Sequence, residues 1–188
     1  MASSTHNGED EIILKAFIEV SKDLPKLKLV IVPRHPDRAE EISNIAAKKN
    51  ISACIESKGI NINSSVMIID SIGKTSLLYK NASAAFVGGS LVERGGHNII
   101  EPAFFECPII IGPHMFNFES IAEEFLKTGS CRSVYDYKSL AKEFISILDD
   151  DKSTLSMTQS ATMLILKNSG ASAYQLSAII HELNGVNK

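Results

Sequence analysis

The feature that most constrains the fold is a glycine-rich segment between an apolar run and a helix-like run. Residues 84–87 have the composition of a buried strand, and residues 98–106 have the pattern of a helix. Between them lies a segment with two glycine pairs, residues 88–97, here called the glycine loop. Glycine lets a backbone turn sharply and approach a ligand, and a helix N-terminus offers unpaired N–H groups to an anion. This order predicts a cradle for a nucleotide phosphate; a tight turn without a ligand is the alternative.

Short apolar runs alternate with amphipathic helix patterns along the first 150 residues. The runs are typical of parallel strands buried on both faces. They cover residues 27–32, 66–69, 84–87 and 109–111. Helical stripes of apolar residues begin at Ile12, Ile121 and Leu140. The alternation predicts a doubly wound, mostly parallel α/β sheet over residues 1–150.

The two ends of the chain differ from this pattern. Residues 1–10 have the character of a loop that follows a strand, with Thr5 or Asn7 as the cap of the first helix, so the chain is expected to begin within a fold. Residues 151–188 follow an acidic break and are expected to be helical and to pack on the sheet domain. The run Asn168-Ser169-Gly170 predicts a division into two helices there.

Composition excludes several classes of protein. No apolar run reaches the roughly 20 residues of a membrane span, and a net charge of −3 gives no reason to expect nucleic acid as a partner. The three cysteines are far apart, and no histidine pair has the spacing of metal ligands. We therefore expect a soluble intracellular chain without a metal site.

Polar residues follow several of the predicted strands, at the edge where ligands of open α/β sheets bind. In Pro33-Arg34-His35-Pro36, the guanidinium suits a phosphate or a carboxylate, and a plain surface arginine is the alternative. Gly73 would let a loop touch a base or ribose, or would serve a plain turn. Asn98 could cap a helix or bind phosphate. Glu101 could hold a ribose, or reach back to the backbone in a capping box.

Taken together, these loops resemble the C-terminal, donor-binding half of the 3-deoxy-D-manno-octulosonic acid (Kdo) transferases that build lipid A. The resemblance covers nearly the whole chain. It rests on Ser4-Thr5-His6 with Gly8-Glu9, Pro33-Arg34-His35-Pro36, Asp70 with Gly73, Gly88-Gly89-Ser90-Leu91-Val92, Arg94-Gly95-Gly96-His97-Asn98, Glu101-Pro102 and Gly112-Pro113-His114 with Asn117-Phe118. It implies the Rossmann-like C-terminal half of a GT-B fold.

The resemblance also implies a ligand and its contacts. The donor substrate is CMP-Kdo, with no further cofactor. The residues implied in CMP binding are Pro33, Arg34, Ile72, Gly73, Lys74, Asn98, Ile99, Ile100 and Glu101. Further candidates are Gly95, Gly96, His97, Ser90, His114 and Asn117. Family members usually carry an acidic residue where this chain has Lys74.

The family's N-terminal domain, with its membrane anchor, acceptor surface and general base, is absent from this sequence. No catalytic residue is therefore expected in the chain, which should bind CMP weakly and transfer nothing alone. The intact enzyme would transfer Kdo to a lipid A precursor at the cytoplasmic face of the inner membrane. The alternatives are another GT-B nucleotide-sugar enzyme, such as a UDP-sugar transferase or epimerase, and a nucleotide-binding partner subunit without its own catalysis.

Overall fold

Strands and helices alternate along the chain. The computed structural model describes residues 1–185, with side chains through residue 168. The elements are β1 (Ala2–Thr5), α1 (Glu9–Asp23), β2 (Leu29–Pro33), α2 (Ala39–Lys48), β3 (Ala53–Ile55), β4 (Val66–Ile68), α3 (Thr75–Asn81), β5 (Ala85–Val87), α4 (Ile100–Phe104), β6 (Ile109–Ile111), α5 (Glu119–Lys127), β7 (Arg132–Ser133), α6 (Tyr137–Asp149) and α7 (Asp151–Gly185).

The seven strands form one sheet in the order β3-β4-β2-β1-β5-β6-β7, and every neighbouring pair is parallel. From β1 the chain builds outward through β2 toward β3, and from β5 it builds the other way toward β7. The direction therefore reverses between β1 and β5, and ligands of such sheets bind in the crevice beyond this switch point. The predicted doubly wound sheet is confirmed.

Both faces of the sheet are buried, which explains the continuous apolar runs in the sequence. Successive side chains of a strand point to opposite faces. Phe86 and Ile110 thus belong to the apolar cluster beneath α1, α2 and α6. Their neighbours Val87, Ile109 and Ile111 belong to the cluster beneath α4, α5 and α7.

The central strand β1 corrects the interpretation of residues 1–10 as a loop. Ala2–Thr5 pairs with β2 on one side and β5 on the other. Its hydroxyl side chains are buried because they find partners: Ser3 Oγ donates to the Phe86 carbonyl at 3.3 Å and accepts from the Tyr79 hydroxyl at 2.6 Å. Strands β3 and β7 are also absent from the prediction.

The start of α1 differs from the prediction as well. Gly8, with φ of +92°, occupies the cap position and supplies no side-chain hydrogen bond. Thr5 Oγ1 donates instead to Asp10 at 2.8 Å. The hydroxyl of Thr5 therefore fixes the first turn of the helix through a side chain and not through a backbone cap.

The C-terminal region is one helix, not two. Helix α6 ends at Asp149, as the acidic break predicts, and α7 continues without division to Gly185. Serine and glycine each reduce helix stability by about 1 kcal/mol or less, and no proline is present to break the helix. Within the part whose side chains are described, Met157, Ala161 and Leu164 are buried. No helix among residues 1–185 has the length and apolar character needed to cross a lipid bilayer.

Candidate functional site

Loops after β1, β2 and β5 meet at the carboxyl edge of the sheet, beyond the switch point. The Arg34 N–H donates to the Thr5 carbonyl at 3.0 Å, which ties the first two loops together. Burial lowers the pKa of His97, and the charges of Arg34 and His35 lower it further. His6, the residue after Thr5, contacts His97 at 2.8 Å, so the loops that carry Arg34 and His97 meet at this edge.

The first part of the glycine loop binds a carboxylate that belongs to the protein. Glu9, the first residue of α1, is fully buried. Its Oε2 accepts the Gly89 N–H at 2.7 Å and the His6 N–H at 2.9 Å. Its Oε1 accepts the Ser90 and Leu91 N–H groups, both at 3.0 Å. Burial raises the pKa of Glu9, and these four hydrogen bonds oppose the rise.

The second glycine pair is explained by packing inside the protein. Gly95 and Gly96 have φ of +85° and +71°, and both are buried. A Cβ at Gly95 would lie 2.2 Å from Asn117 Nδ2, and a Cβ at Gly96 would lie 2.2 Å from Met115 Sδ. These glycines allow the loop after β6 to pack on the glycine loop. The backbone at these glycines is therefore approached closely by other protein atoms, and not by a ligand as the sequence suggests.

The loop of Ile72, Gly73 and Lys74 is open by comparison. A Cβ at Gly73 would meet no atom within 4 Å, and Ile72 is 90% exposed. Lys74 forms an ion pair with Glu56, whose other oxygen accepts from Ser71 Oγ at 2.5 Å. A carboxylate from the end of β3 thus lies next to Lys74.

Two histidine rings lie together at the centre of the crevice. His6 Nε2 is 2.8 Å from His97 Nε2, and the rings stack with centroids 5.1 Å apart and an interplanar angle of 4°. His35 contacts the His6 ring edge-on, with centroids 5.9 Å apart. Burial, followed by the charges of His97 and Arg94, lowers the pKa of His6 to about 4. His6 is therefore neutral at pH 7.

The helix that follows the glycine loop is shorter than predicted. Helix α4 spans Ile100–Phe104 in place of residues 98–106. Pro102 supplies no N–H within it, and Glu106 has φ of +54°, outside the helical region. Because a macrodipole needs several aligned turns, this single turn contributes little charge at its N-terminus. Attraction of an anion must then come from side-chain cations and individual N–H groups.

The polar residues around the start of α4 have defined partners. Asn98 Oδ1 accepts the Ile100 N–H at 2.9 Å, although the cap position itself is Ile99, which has no side-chain capping hydrogen bond. Glu101 Oε1 accepts from Ser76 Oγ at 2.6 Å, in place of the alternative capping box. Ile99 is fully buried in the core, whereas Ile100 is 38% exposed. Glu101 is half-buried and keeps a second carboxylate oxygen for a ligand.

Several other candidate residues shape the site from within. Pro33 ends β2 and is buried. Ser90 is fully buried, and its Oγ donates to the Val87 carbonyl at 2.5 Å and accepts the Gly112 N–H at 2.8 Å. The His114 N–H donates to the Ser90 carbonyl at 2.9 Å. These contacts position the loops after β5 and β6 relative to each other.

Three residues in the site are missing from the sequence-based list of ligand contacts. His6 lies in a segment that carries the family resemblance, and that signal could have placed it in the site. Glu9 also lies in that segment, but its local sequence is that of an ordinary acidic residue in a first helical turn. Ser76 has no local signal, since its partner Glu101 is 25 residues away.

Comparisons with known proteins agree with this fold. The family model described as glycosyl transferases group 1 matches residues 9–163. The chain is 36% identical over 174 residues to a 3-deoxy-D-manno-octulosonic acid transferase of Haemophilus influenzae, covering 91% of this chain and 41% of the relative. A transferase of the same name from Aquifex aeolicus is 34% identical over 152 residues, covering 81% and 42%. The chain thus spans about two fifths of these curated relatives.

Solved structures resemble the chain to different degrees. The C-terminal CMP-Kdo binding domain of WaaA from Acinetobacter baumannii is 32% identical, with a TM-score of 0.82, covering 87% of this chain and 86% of that one. A putative UDP-N-acetylglucosamine 2-epimerase from Listeria monocytogenes is 14% identical, with a TM-score of 0.56, and shares the fold alone. The chain therefore belongs to the group 1 glycosyl transferases, in the part of that family formed by the C-terminal domains of Kdo transferases.

Proposed function

We propose that the chain is the donor-binding part of a glycosyltransferase that transfers Kdo from CMP-Kdo to a lipid A precursor in lipopolysaccharide biosynthesis. The observation that carries this proposal is the 32% identity and TM-score of 0.82 to a domain named for CMP-Kdo binding. On this proposal, the intact enzyme acts at the cytoplasmic face of the inner membrane. Acceptor binding and the general base belong, on this proposal, to the part of the relatives that the chain does not span.

Arg34 is the residue that binds the phosphate. Its side chain is exposed at the crevice and has no ion-pair partner among the side chains described through residue 168. A guanidinium can donate two parallel hydrogen bonds to phosphate oxygens. When the sugar departs, negative charge develops on CMP, and a fixed cation beside the phosphate stabilises that charge.

Glu101 and the loop of residues 72–74 bind the nucleoside. The Glu101 carboxylate is oriented by Ser76 and accepts hydrogen bonds from the ribose hydroxyls with its second oxygen. Gly73 has a positive φ and open space on its Cβ side, so the base can approach the backbone there. The exposed side chain of Ile72 covers an apolar face of the base.

Calorimetric titration with CMP and UDP tests the proposal. We expect CMP to bind at least about tenfold more tightly than UDP, since a preference for CMP is what a CMP-Kdo site requires. Loss of a charged hydrogen bond costs about 1.5–3 kcal/mol, so Arg34→Gln should weaken CMP binding by about tenfold or more. Lys22→Gln, which removes an exposed cation of α1, is the matched control and should leave CMP binding unchanged. A preference for UDP would favour the alternative, a UDP-sugar enzyme.

A further inference from the structure

The His6–His97 pair has hydrogen-bonding capacity that its own contact does not use. The two Nε2 atoms share one hydrogen bond, so one ring donates and the other accepts. In a neutral imidazole only one nitrogen carries a proton. The accepting ring must therefore carry its proton on Nδ1. In the part of the chain whose side chains are described, neither Nδ1 has a hydrogen-bond partner, so one N–H donor is free for a ligand.

The arginines that act on this pair come from three segments: Arg34 follows β2, Arg38 lies in the next turn, and Arg94 lies in the glycine loop. The His35 ring contacts His6 edge-on. Arg38 is neutralised by Asp10, at 2.6 Å, and by a second carboxylate on α2. Arg34 and Arg94 have no ion pair within the described side chains.

The nearest carboxylate on the protein side is already satisfied. Glu9 lies beneath the pair and accepts the backbone N–H of His6, together with three N–H groups of the glycine loop. Its oxygens are saturated, and its side chain is fully buried. The free N–H of the pair and the arginines without an ion pair in the loops around it together favour an anion.

The chemistry of the proposed donor supplies such an anion at the required place. In a nucleoside monophosphate ester of a 2-ulosonic acid, the phosphate oxygen and the carboxyl group are attached to the same anomeric carbon. A site for the carboxylate must consequently lie directly beside the site for the phosphate. His97 contacts His6 at 2.8 Å, and the residue before His6, Thr5, accepts the backbone N–H of Arg34, to which we assign the phosphate.

We propose that the His6–His97 pair, together with Arg94, binds the carboxylate of the ulosonic acid sugar in the donor. This inference rests on the proposed function and adds to it the residues that recognise an acidic sugar. A carboxylate placed there favours a protonated pair, since an anion stabilises the imidazolium form that the surrounding cations disfavour. Binding of the sugar acid is then coupled to uptake of a proton.

Nuclear magnetic resonance with two matched probes tests the inference. The probes are the methyl glycoside of Kdo, which carries the carboxylate, and its methyl ester, which is neutral. Each is titrated into the protein with CMP present at saturation. We expect the carboxylate form to shift the ring signals of His6 and His97 and to raise the pKa of the pair, and the ester to bind at least about tenfold more weakly.

A variant provides a second measurement. His97→Asn keeps a hydrogen-bonding side chain but cannot be protonated, so it should weaken binding of the Kdo glycoside by about tenfold or more. A circular dichroism spectrum and a melting temperature close to those of wild type would show that the variant is folded. Equal binding of the two probes, or undiminished binding of the glycoside to the variant, would overturn the inference alone. Failure of CMP to bind the wild-type chain would overturn the proposed function, and this inference with it.

Discussion

The carboxylate of Glu9 accepts the backbone N–H of Gly89 at 2.7 Å and joins two segments that are 80 residues apart. The contact connects the first turn of α1 to the loop after β5, on the two sides of the switch point. The glycine loop is therefore held in shape by an internal anion. Its Gly89, Ser90 and Leu91 N–H groups are used inside the protein, so the proposed function assigns the ligand's phosphate to a cationic side chain, that of Arg34.

Replacement of Glu9 by glutamine should destabilise the fold. The amide has one acceptor oxygen, and its NH₂ group would face backbone N–H donors that now point at a carboxylate. A buried donor without a partner costs about 1–3 kcal/mol, so we expect a loss of about 3 kcal/mol in the free energy of unfolding. Urea denaturation followed by circular dichroism measures it. Glu11→Gln, an exposed change in the same helix, is the control; equal stability of the two variants would contradict the assigned role of Glu9.

Two glycine-to-alanine changes separate backbone strain from packing. Gly95 and Gly129 have φ of +85° and +71°, so alanine strains the backbone at both positions, by about 1–2 kcal/mol. A Cβ at Gly95 would also lie 2.2 Å from Asn117 Nδ2, whereas one at Gly129 would meet nothing within 4 Å. We expect Gly95→Ala to lower the unfolding free energy by about 1–3 kcal/mol more than Gly129→Ala. Equal losses of unfolding free energy would show that the loop after β6 moves to accommodate the added Cβ without a further loss of stability.

The ribose contact assigned to Glu101 predicts a loss of discrimination between nucleotides. Glu101→Gln removes a charged acceptor and should weaken CMP binding by about tenfold, on the scale of one charged hydrogen bond. Binding of 2′,3′-dideoxycytidine monophosphate should not change, because that nucleotide has no ribose hydroxyls to donate. Calorimetric titration of both nucleotides gives the comparison, with the exposed Glu93→Gln as control. If the variant binds both nucleotides more weakly by the same factor, Glu101 acts on the fold of the site and not on the ribose.

Stability should fall as the pH drops below the ordinary pKa of histidine. The pKa of His6 is about 4 in the folded protein, against 6.5 for the unperturbed side chain, chiefly because of burial. Between these two values the unfolded chain binds the proton more tightly than the folded chain does. The free energy of unfolding therefore decreases from about pH 6.5 toward pH 4. Denaturation at pH 7 and pH 5 measures the decrease, and His6→Asn should reduce it; an unchanged pH dependence in that variant would assign the effect to other groups.

The strands show where local sequence is sufficient. The apolar runs of β2, β4, β5 and β6 predict strands within two residues of their observed bounds, because burial on both faces demands apolar side chains at every position. Strand β1 does not follow this pattern, because it contains hydroxyl side chains. Ser3 and Thr5 are fully buried, yet the Ser3 hydroxyl contacts the Tyr79 hydroxyl, 76 residues away, and the Thr5 hydroxyl donates to Asp10 of α1.

The glycine loop shows where local sequence misleads. Its glycines do mark a turn between a strand and a helix, as predicted. The reason why glycine is needed at Gly95 and Gly96 lies elsewhere in the chain. Asn117 and Met115 occupy the space that side chains at these two positions would need. A sequence pattern records that a side chain is excluded, but not whether a ligand or the protein excludes it.

By itself the sequence determined the class of fold, the edge of the sheet that carries the site, and the family resemblance, because periodicity and motifs are local properties. Only the tertiary structure decided that Glu9 organises the glycine loop and that His6 meets His97, 91 residues away. Such contacts depend on parallel strands that bring distant loops to one edge, and no local pattern encodes which loop side chains then share a partner.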